Sequence, residues 1–390
     1  MADAEKKISL GIVTAVPFPF GLAGTNRIIS YSKGLVELGN KVTVLTSHFH
    51  EDGLDGQYNE IIFKGFRKKH SLGILNNISL PFAVMRQSFY LFRNSKSYNA
   101  VLIVSNSLIL ILLTYLVCKI RRLKLVQEKS EFPFVLKNKS LLGRLYAHLY
   151  VNNIYRMFNG LIIMTHPLFE YFKDKTRRDC QKIIVPMTVE PERFENVSID
   201  NKHGDYIAYC GYMGGNKDGV ENLISAFSTL EKKYCQLRLL LIGTAEQSDL
   251  MALKELAENL KIKNAIFYGS VKRDEMPPLL CGAKILALAR PSSLQSTGGF
   301  PTKLGEYLAT GKPVVVTKVG DIPKYLEDGV SAYLVAPDDN QAFAEKLDYV
   351  LNNYADALKT AQRGKELTET VFNYKVQSKR IQDFLIGLVG

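Results

Sequence analysis

Residues 298–316, GGFPTKLGEYLATGKPVVV, set two glycines, a proline, a lysine and a glutamate around the start of one predicted helix. Pro301 suits a first helical turn, where its missing N–H costs nothing. Gly311 reads as the residue just past the helix, and Pro313 follows it. The amides of Gly299 to Lys303 then lack intrahelical acceptors, which makes an anion site with Gly298, Gly299, Phe300 and Thr302 in its wall. Lys303 and Glu306 are spaced i, i+3 and share a helix face. A carboxylate with two acceptor oxygens matches a vicinal diol with two donors. A diphosphate at the helix end and a ribose one turn along together describe a nucleotide sugar. The bland alternative, a Lys303–Glu306 pair on a solvated helix, leaves the glycines and proline unexplained.

Other predicted strand ends carry related chemistry. The first strand runs into AVPFPFGLAGTNR, where Gly21 and Gly24 permit tight backbone and Asn26 and Arg27 stand near the next helix. Such a loop suits a phosphate or a sugar hydroxyl. It is not G-x-G-x-x-G, and no acidic residue ends the second strand, so a dinucleotide is not expected. The strand at 123–127 ends on Glu128, with Glu131 three residues on. These carboxylates suit hydrogen bonds from acceptor hydroxyls or proton transfer, against the alternative of a capped surface loop. His166, alone before Pro167, reads as structural. In GYMGGNKDG, residues 211–219, four glycines surround Lys217, a cation placed to neutralise a diphosphate. Arg290 lies in a polar loop, 289–300, just ahead of the opening stretch.

The elements that must position these residues are legible as short apolar runs separated by helical patterns. They are Ser9–Val13, Lys41–Leu45, Ala100–Val104, Leu123–Gln127, Leu161–Met164 and Lys182–Val185, then Tyr206–Tyr209, Leu237–Ile242, Ala265–Tyr268, Ile285–Ala289, Pro313–Thr317 and Ala332–Val335. This alternation predicts parallel sheets covered on both faces, in two Rossmann-like α/β domains. The domains are expected at residues 1–195 and 196–372, with residues 373–390 as a final amphipathic helix packing back on the first. Ligands in open α/β sheets lie outside the carboxyl ends of strands, so the expected site is a central cleft that the two sheets face.

The 390 residues are 46% hydrophobic and 23% charged, with no repeat or low-complexity tract. Five cysteines without a C-x-x-C pair argue against a zinc site or a disulfide framework. The start, MADAEKKISLGIV, lacks the apolar core of a signal peptide, and a cytoplasmic location is expected. VLIVSNSLILILLTYLVC, residues 101–118, is uncharged but is broken by Ser105-Asn106-Ser107, so a strand and a helix are expected rather than a membrane span. The net charge of +12 is uneven: residues 61–182 hold 21 Lys and Arg against 5 Asp and Glu. With the aromatic-rich amphipathic run at 141–158, this predicts an anionic membrane surface as partner, at the inner face of the cell membrane. No nucleic-acid signature accompanies the charge.

The segments PFPFGLAGTNRIISYSKGLVELGNKVTVLT, YCGYMGGNKDGVENLISAF, LLLIGTAEQ, AIFYGSVKRDEMPPLL and FPTKLGEYLATGKPVVVTKVGDIPKYLEDGVSAYLV resemble, in order and over nearly the whole chain, family 4 glycosyltransferases of the GT-B fold. The resemblance implies a retaining, metal-independent transfer of sugar from a UDP- or GDP-sugar to a glycan or lipid-linked acceptor, with no cofactor. It implies Glu306 on the ribose, Lys217 on the diphosphate, Thr302 and Lys303 amides on phosphate, Gly269 to Val271 near the base, and residues 21–27 near phosphate and acceptor. Lys217, Glu128 and Glu131 become the candidate catalytic residues. Two positions depart from the family pattern. Gly298 stands where the first glutamate of E-x(7)-E belongs, and Tyr212 where the motif arginine belongs. A nucleotide-sugar epimerase of the same fold and a non-catalytic binding subunit remain the rival readings.

Overall fold

The computed structural model describes residues 6–50, 55–68, 73–133, 140–199, 201–215 and 217–390. The chain divides into two compact units, Met1–Thr188 with Tyr374–Gly390, and Val189–Asn373.

The first unit is built on β1 (Ser9–Thr14), β2 (Lys41–His50), β3 (Asp55–Tyr58), β4 (Ile61–Lys68), β5 (Ala100–Val104), β6 (Lys124–Lys129), β7 (Gly160–Ile163) and β8 (Gln181–Ile184). They lie in the order β3-β4-β2-β1-β5-β6-β7-β8, parallel except for β3, which runs antiparallel to β4. All six runs read from the sequence in this half are strands. β3 and β4 are additions, because IIFKGFRK mixes basic and apolar residues and shows no clean alternation. Leu10, Ile12, Val44, Leu102, Val126 and Ile162 from the inner strands are buried in one core. The chain leaves β1 toward β2 and later returns on the other side at β5, so the strand order reverses between β1 and β5. At the carboxyl ends of this pair the Thr14 hydroxyl donates to the Val104 carbonyl at 2.9 Å.

The apolar run at 101–118 resolves into β5 and the helix Leu108–Arg121. No helix among the described residues is long and apolar enough to cross a membrane. The last helix, Tyr374–Val389, lies against the helix Ala23–Glu37. The Tyr374 hydroxyl donates to Glu37 at 2.8 Å. A Cβ on Gly34 would meet Ser378 Oγ at 2.3 Å, so glycine is what lets the two helices approach.

The second unit holds β9 (Tyr206–Cys210), β10 (Arg238–Ile242), β11 (Ala265–Gly269), β12 (Ile285–Leu288), β13 (Val314–Thr317) and β14 (Tyr333–Val335). All are parallel, in the order β11-β10-β9-β12-β13-β14. The order reverses between β9 and β12, which puts the loops 211–219 and 289–293 side by side at the carboxyl edge. This is where open α/β sheets bind ligands.

The opening stretch is folded differently from its sequence reading. The polar loop 289–300 contains a short helix, Leu294–Gly298, begun by Ser293, whose hydroxyl accepts from the Ser296 amide at 3.1 Å. Gly299 is extended and breaks the chain before the next helix, Lys303–Ala309, which starts after Thr302 rather than at Pro301.

Candidate functional site

The glycine loop after β9 and the loop after β12 bring together charges that are far apart in sequence. Asp218, at the end of the glycine loop, contacts the Lys303 ammonium. Its other oxygen lies 3.4 Å from Arg290 Nε. The Tyr209 hydroxyl, at the end of β9, lies 3.1 Å from Asp218 Oδ2 and accepts from Lys303 at 2.8 Å. Arg290 is completely buried, whereas Lys303 and Asp218 keep 13% and 12% of their side chains exposed, so the cluster opens to solvent on one side. Burial pushes the Asp218 carboxyl up, but the charges of Lys303 and Arg290 outweigh burial and hold it below its usual value. Burial and the neighbouring carboxylate push the Tyr209 hydroxyl well up, so it stays protonated.

Gly211 makes this arrangement possible. Its φ is +147°, and a Cβ there would stand 2.1 Å from the Lys303 ammonium. Lys217 is half-buried in the same loop, and its charge also favours the ionised Asp218.

Lys303 and Glu306 share a helix, but they do not pair with each other as the bland alternative has it. Glu306 accepts from Arg193 at 2.8 Å. The second terminal nitrogen of Arg193 donates to the Arg273 carbonyl at 2.8 Å, and the Arg273 guanidinium contacts Glu190. Arg193 thus ties Glu306 to the loop that follows β11, the strand that ends on Gly269 with φ +85°. Val271 lies half-buried in that loop.

Gly299 does not contribute an open amide to the row expected from Gly299 to Lys303. The Gly299 amide donates to Gln295 at 3.1 Å, closing the preceding helix, and its carbonyl accepts from Arg290 at 3.0 Å. Gly298 is buried at the end of that helix. Phe300 is buried against the rings of Tyr325 and Phe372, with centroids 5.5 and 5.8 Å away, and anchors the loop to the core. Thr302 and Lys303 begin a helix of only seven residues, so the charge in this region comes from side chains more than from a helix end.

In the first unit, Gly21 and Gly24 are exposed where the helix Ala23–Glu37 begins without a side-chain cap, and Asn26 is half-buried one turn in. Arg27 and Glu128 are brought together, but in the interior. Arg27 Nε donates to Glu128 at 2.6 Å with both side chains 4% exposed. Its two terminal nitrogens donate to the Pro186 and Val185 carbonyls at 2.9 and 2.8 Å. The pair ties the first helix to the ends of β6 and β8. Glu131 is half-buried in the loop after β6, and His166 opens the helix His166–Lys173.

Beside Glu128, Lys129 is almost fully buried under the rings of Tyr155 and Phe172, each 5.6 Å away, and donates to Asn106 at 2.7 Å. Burial pulls its ammonium down to about 8, against the charges of Glu128 and Glu131. The unfolded chain therefore binds a proton here that the folded chain releases between about pH 8 and 10.5, and stability rises with pH across that window. Urea titrations of wild type and Lys129→Met are expected to diverge there by about 3 kcal/mol in favour of wild type as pH rises. Parallel curves would show the lysine is not desolvated.

The sequence assigns no site role to Asp218, Arg193 or Tyr209. Asp218 carried a weak signal, an acid directly after Lys217 at the end of a glycine loop. Arg193 carried none, since it meets Glu306 across 113 residues.

Residues 204–353 match the family described as glycosyl transferases group 1. A D-inositol 3-phosphate glycosyltransferase of Corynebacterium urealyticum is 33% identical over 141 residues, 35% of this chain and 32% of the relative. An amylovoran biosynthesis glycosyltransferase of Erwinia amylovora is 26% identical over 277 residues, 68% of this chain and 66% of the relative. The matched regions span from about a third to just under two thirds of these relatives. Among solved structures, Anabaena HepE in complex with UDP superposes with a TM-score of 0.73 at 17% identity, covering 97% of this chain and 100% of that one. The chain has the GT-B fold, and its second unit carries the glycosyl transferases group 1 region.

Proposed function

We propose that this chain is a glycosyltransferase that takes its sugar from a UDP- or GDP-sugar held by the second unit and passes it to a glycan or lipid-linked acceptor in polysaccharide synthesis. The observation that carries this reading is the convergence of Lys303, at the start of its helix, and Arg290 on the Asp218 carboxylate, with Lys217 in the same glycine loop, at the strand-order reversal of the second unit. Three positive charges around a cluster that is open to solvent at Lys303 and Asp218 suit a diphosphate leaving group. Glu306, one turn from Lys303, supplies the acceptor for ribose hydroxyls. Two relatives support the class of reaction: HepE was solved with UDP, and the Erwinia protein is named for amylovoran biosynthesis. Retention of anomeric configuration and independence of metal follow from the family resemblance. Lys217 and the loop cations then stabilise the departing diphosphate, and Glu128 and Glu131 belong to the acceptor half. The test is release of nucleoside diphosphate from a panel of UDP- and GDP-sugars, wild type against Glu306→Ala.

The reading includes a place at an anionic membrane surface, on the inner face of the cell membrane. In the helix Leu141–Ile154, Ala147, Tyr150 and Val151 are buried while Leu141, Leu142, Leu145 and Leu149 are exposed, and Arg144 is exposed among them. Apolar side chains interleaved with a cation suit the headgroup boundary of an anionic bilayer. Flotation with vesicles of phosphatidylcholine and phosphatidylglycerol is expected to carry the wild type up, and Leu142→Asp/Leu145→Asp to reduce the bound fraction about tenfold or more. Flotation no better than with pure phosphatidylcholine contradicts membrane attachment.

A further inference from the structure

We propose that Asp218 is an internal competitor for the diphosphate: its carboxylate occupies the anion seat formed by Lys303, Arg290 and Tyr209, and a bound diphosphate takes those cations from it. The inference rests on the reading of the second unit as the nucleotide-sugar half.

The seat has the chemistry of a phosphate site. A carboxylate is an acceptor-only anion, as a phosphate oxygen is. Asp218 here touches an ammonium, faces a guanidinium nitrogen at 3.4 Å and lies 3.1 Å from a phenol hydroxyl. Lys303, Arg290 and Lys217 all bring positive charge to bear on Asp218, and a Cβ on Gly214 in the same loop would meet the Asp249 carboxylate at 2.2 Å. The backbone is shaped for the arrangement, because Gly211 leaves room for the Lys303 ammonium that any Cβ would fill. The seat is also reachable: Arg290 forms its buried floor, while Lys303 and Asp218 are partly open to solvent. Asp218 therefore does two jobs. Without ligand it neutralises two close cations that would otherwise repel each other. With ligand it competes, which weakens binding and speeds departure of the nucleoside diphosphate product.

The experiment measures binding of inorganic pyrophosphate and of UDP to wild type and Asp218→Asn by calorimetry and thermal shift. The isosteric amide keeps the shape and removes the charge. Without ligand, Asp218→Asn is expected to melt lower than wild type. It is expected to bind pyrophosphate about tenfold more tightly and to gain more stability from it. Asp218→Ser carries the same expectation if the amide fails to fold. Equal or weaker pyrophosphate binding by these variants, or a lowered melting point that pyrophosphate does not restore, overturns the proposal. If pyrophosphate binds the variant more tightly while UDP binds neither protein, the anion seat stands and the nucleotide reading falls. If UDP binds both equally, the nucleotide reading stands and the competitor role falls.

Discussion

Glu306→Ala is expected to lower affinity for the nucleoside diphosphate, and turnover of its sugar, by about 10- to 100-fold. Arg193 engages one carboxylate oxygen of Glu306 at 2.8 Å and fixes its orientation. The other oxygen is left to accept from a vicinal diol, and hydrogen bonds to a charged group contribute about 1.5–3 kcal/mol. The cost to folding should be small by comparison. Arg193 and Glu306 are 16% and 23% exposed, so the pair is partly buried, and losing it should cost less than the about 3–5 kcal/mol of a fully buried pair broken from one side. The contrast between a large functional loss and a small thermal shift separates a ligand-contacting role from a structural one. A sharper discriminator is the ribose itself. Wild type should prefer UDP over 2′,3′-dideoxyuridine diphosphate, and Glu306→Ala should lose that preference. If the variant keeps the preference, Glu306 does not hold the diol.

Arg27→Met should act in the opposite sense, through stability. It leaves the Glu128 carboxylate buried without its guanidinium, and it removes the donors to Val185 and Pro186. Breaking a buried pair from one side costs about 3–5 kcal/mol. At about 2–4 °C per kcal/mol for a unit of this size, the melting temperature should fall by roughly 10 °C. The double variant Arg27→Met/Glu128→Leu should recover part of that loss, because no lone charge is left buried, but not the two carbonyl contacts. A single variant that melts like wild type would show that Arg27 is not the strut its geometry describes. It would return Arg27 to the phosphate-side role read from the sequence.

The Arg27 case illustrates where local reading stops. The strand pattern was legible because inner parallel strands are apolar runs closed by turn residues, as in LRLLLIG and KILAL. IIFKGFRK carries no such signal because its strand sits next to the sheet edge, with Ile62 and Lys68 exposed. The helix boundaries at 294–309 shifted because Ser293 caps an unforeseen helix and Gly299 ends it, a competition that spacing alone does not decide. In the site, glycines, lysines and glutamates are visible as residue types, but their partners are not. Glu128 faces a cation 101 residues away and Glu306 one 113 residues away, so neither pairing has a local signal. The Lys303–Glu306 spacing puts both on one helix, yet each side chain turns to a partner in a distant segment, Lys303 to Asp218 and Glu306 to Arg193.

The central claim, that the second unit holds a nucleoside diphosphate sugar, is tested most directly by a thermal-shift titration against UDP-glucose, UDP-galactose, UDP-N-acetylglucosamine and GDP-mannose. A ligand at one hundred times its dissociation constant adds about 2.7 kcal/mol to stability. The account predicts that at least one of these donors raises the melting temperature of the wild type by several degrees, and that Glu306→Ala loses most of the shift. No shift with any donor, in a protein that melts cooperatively, would contradict it.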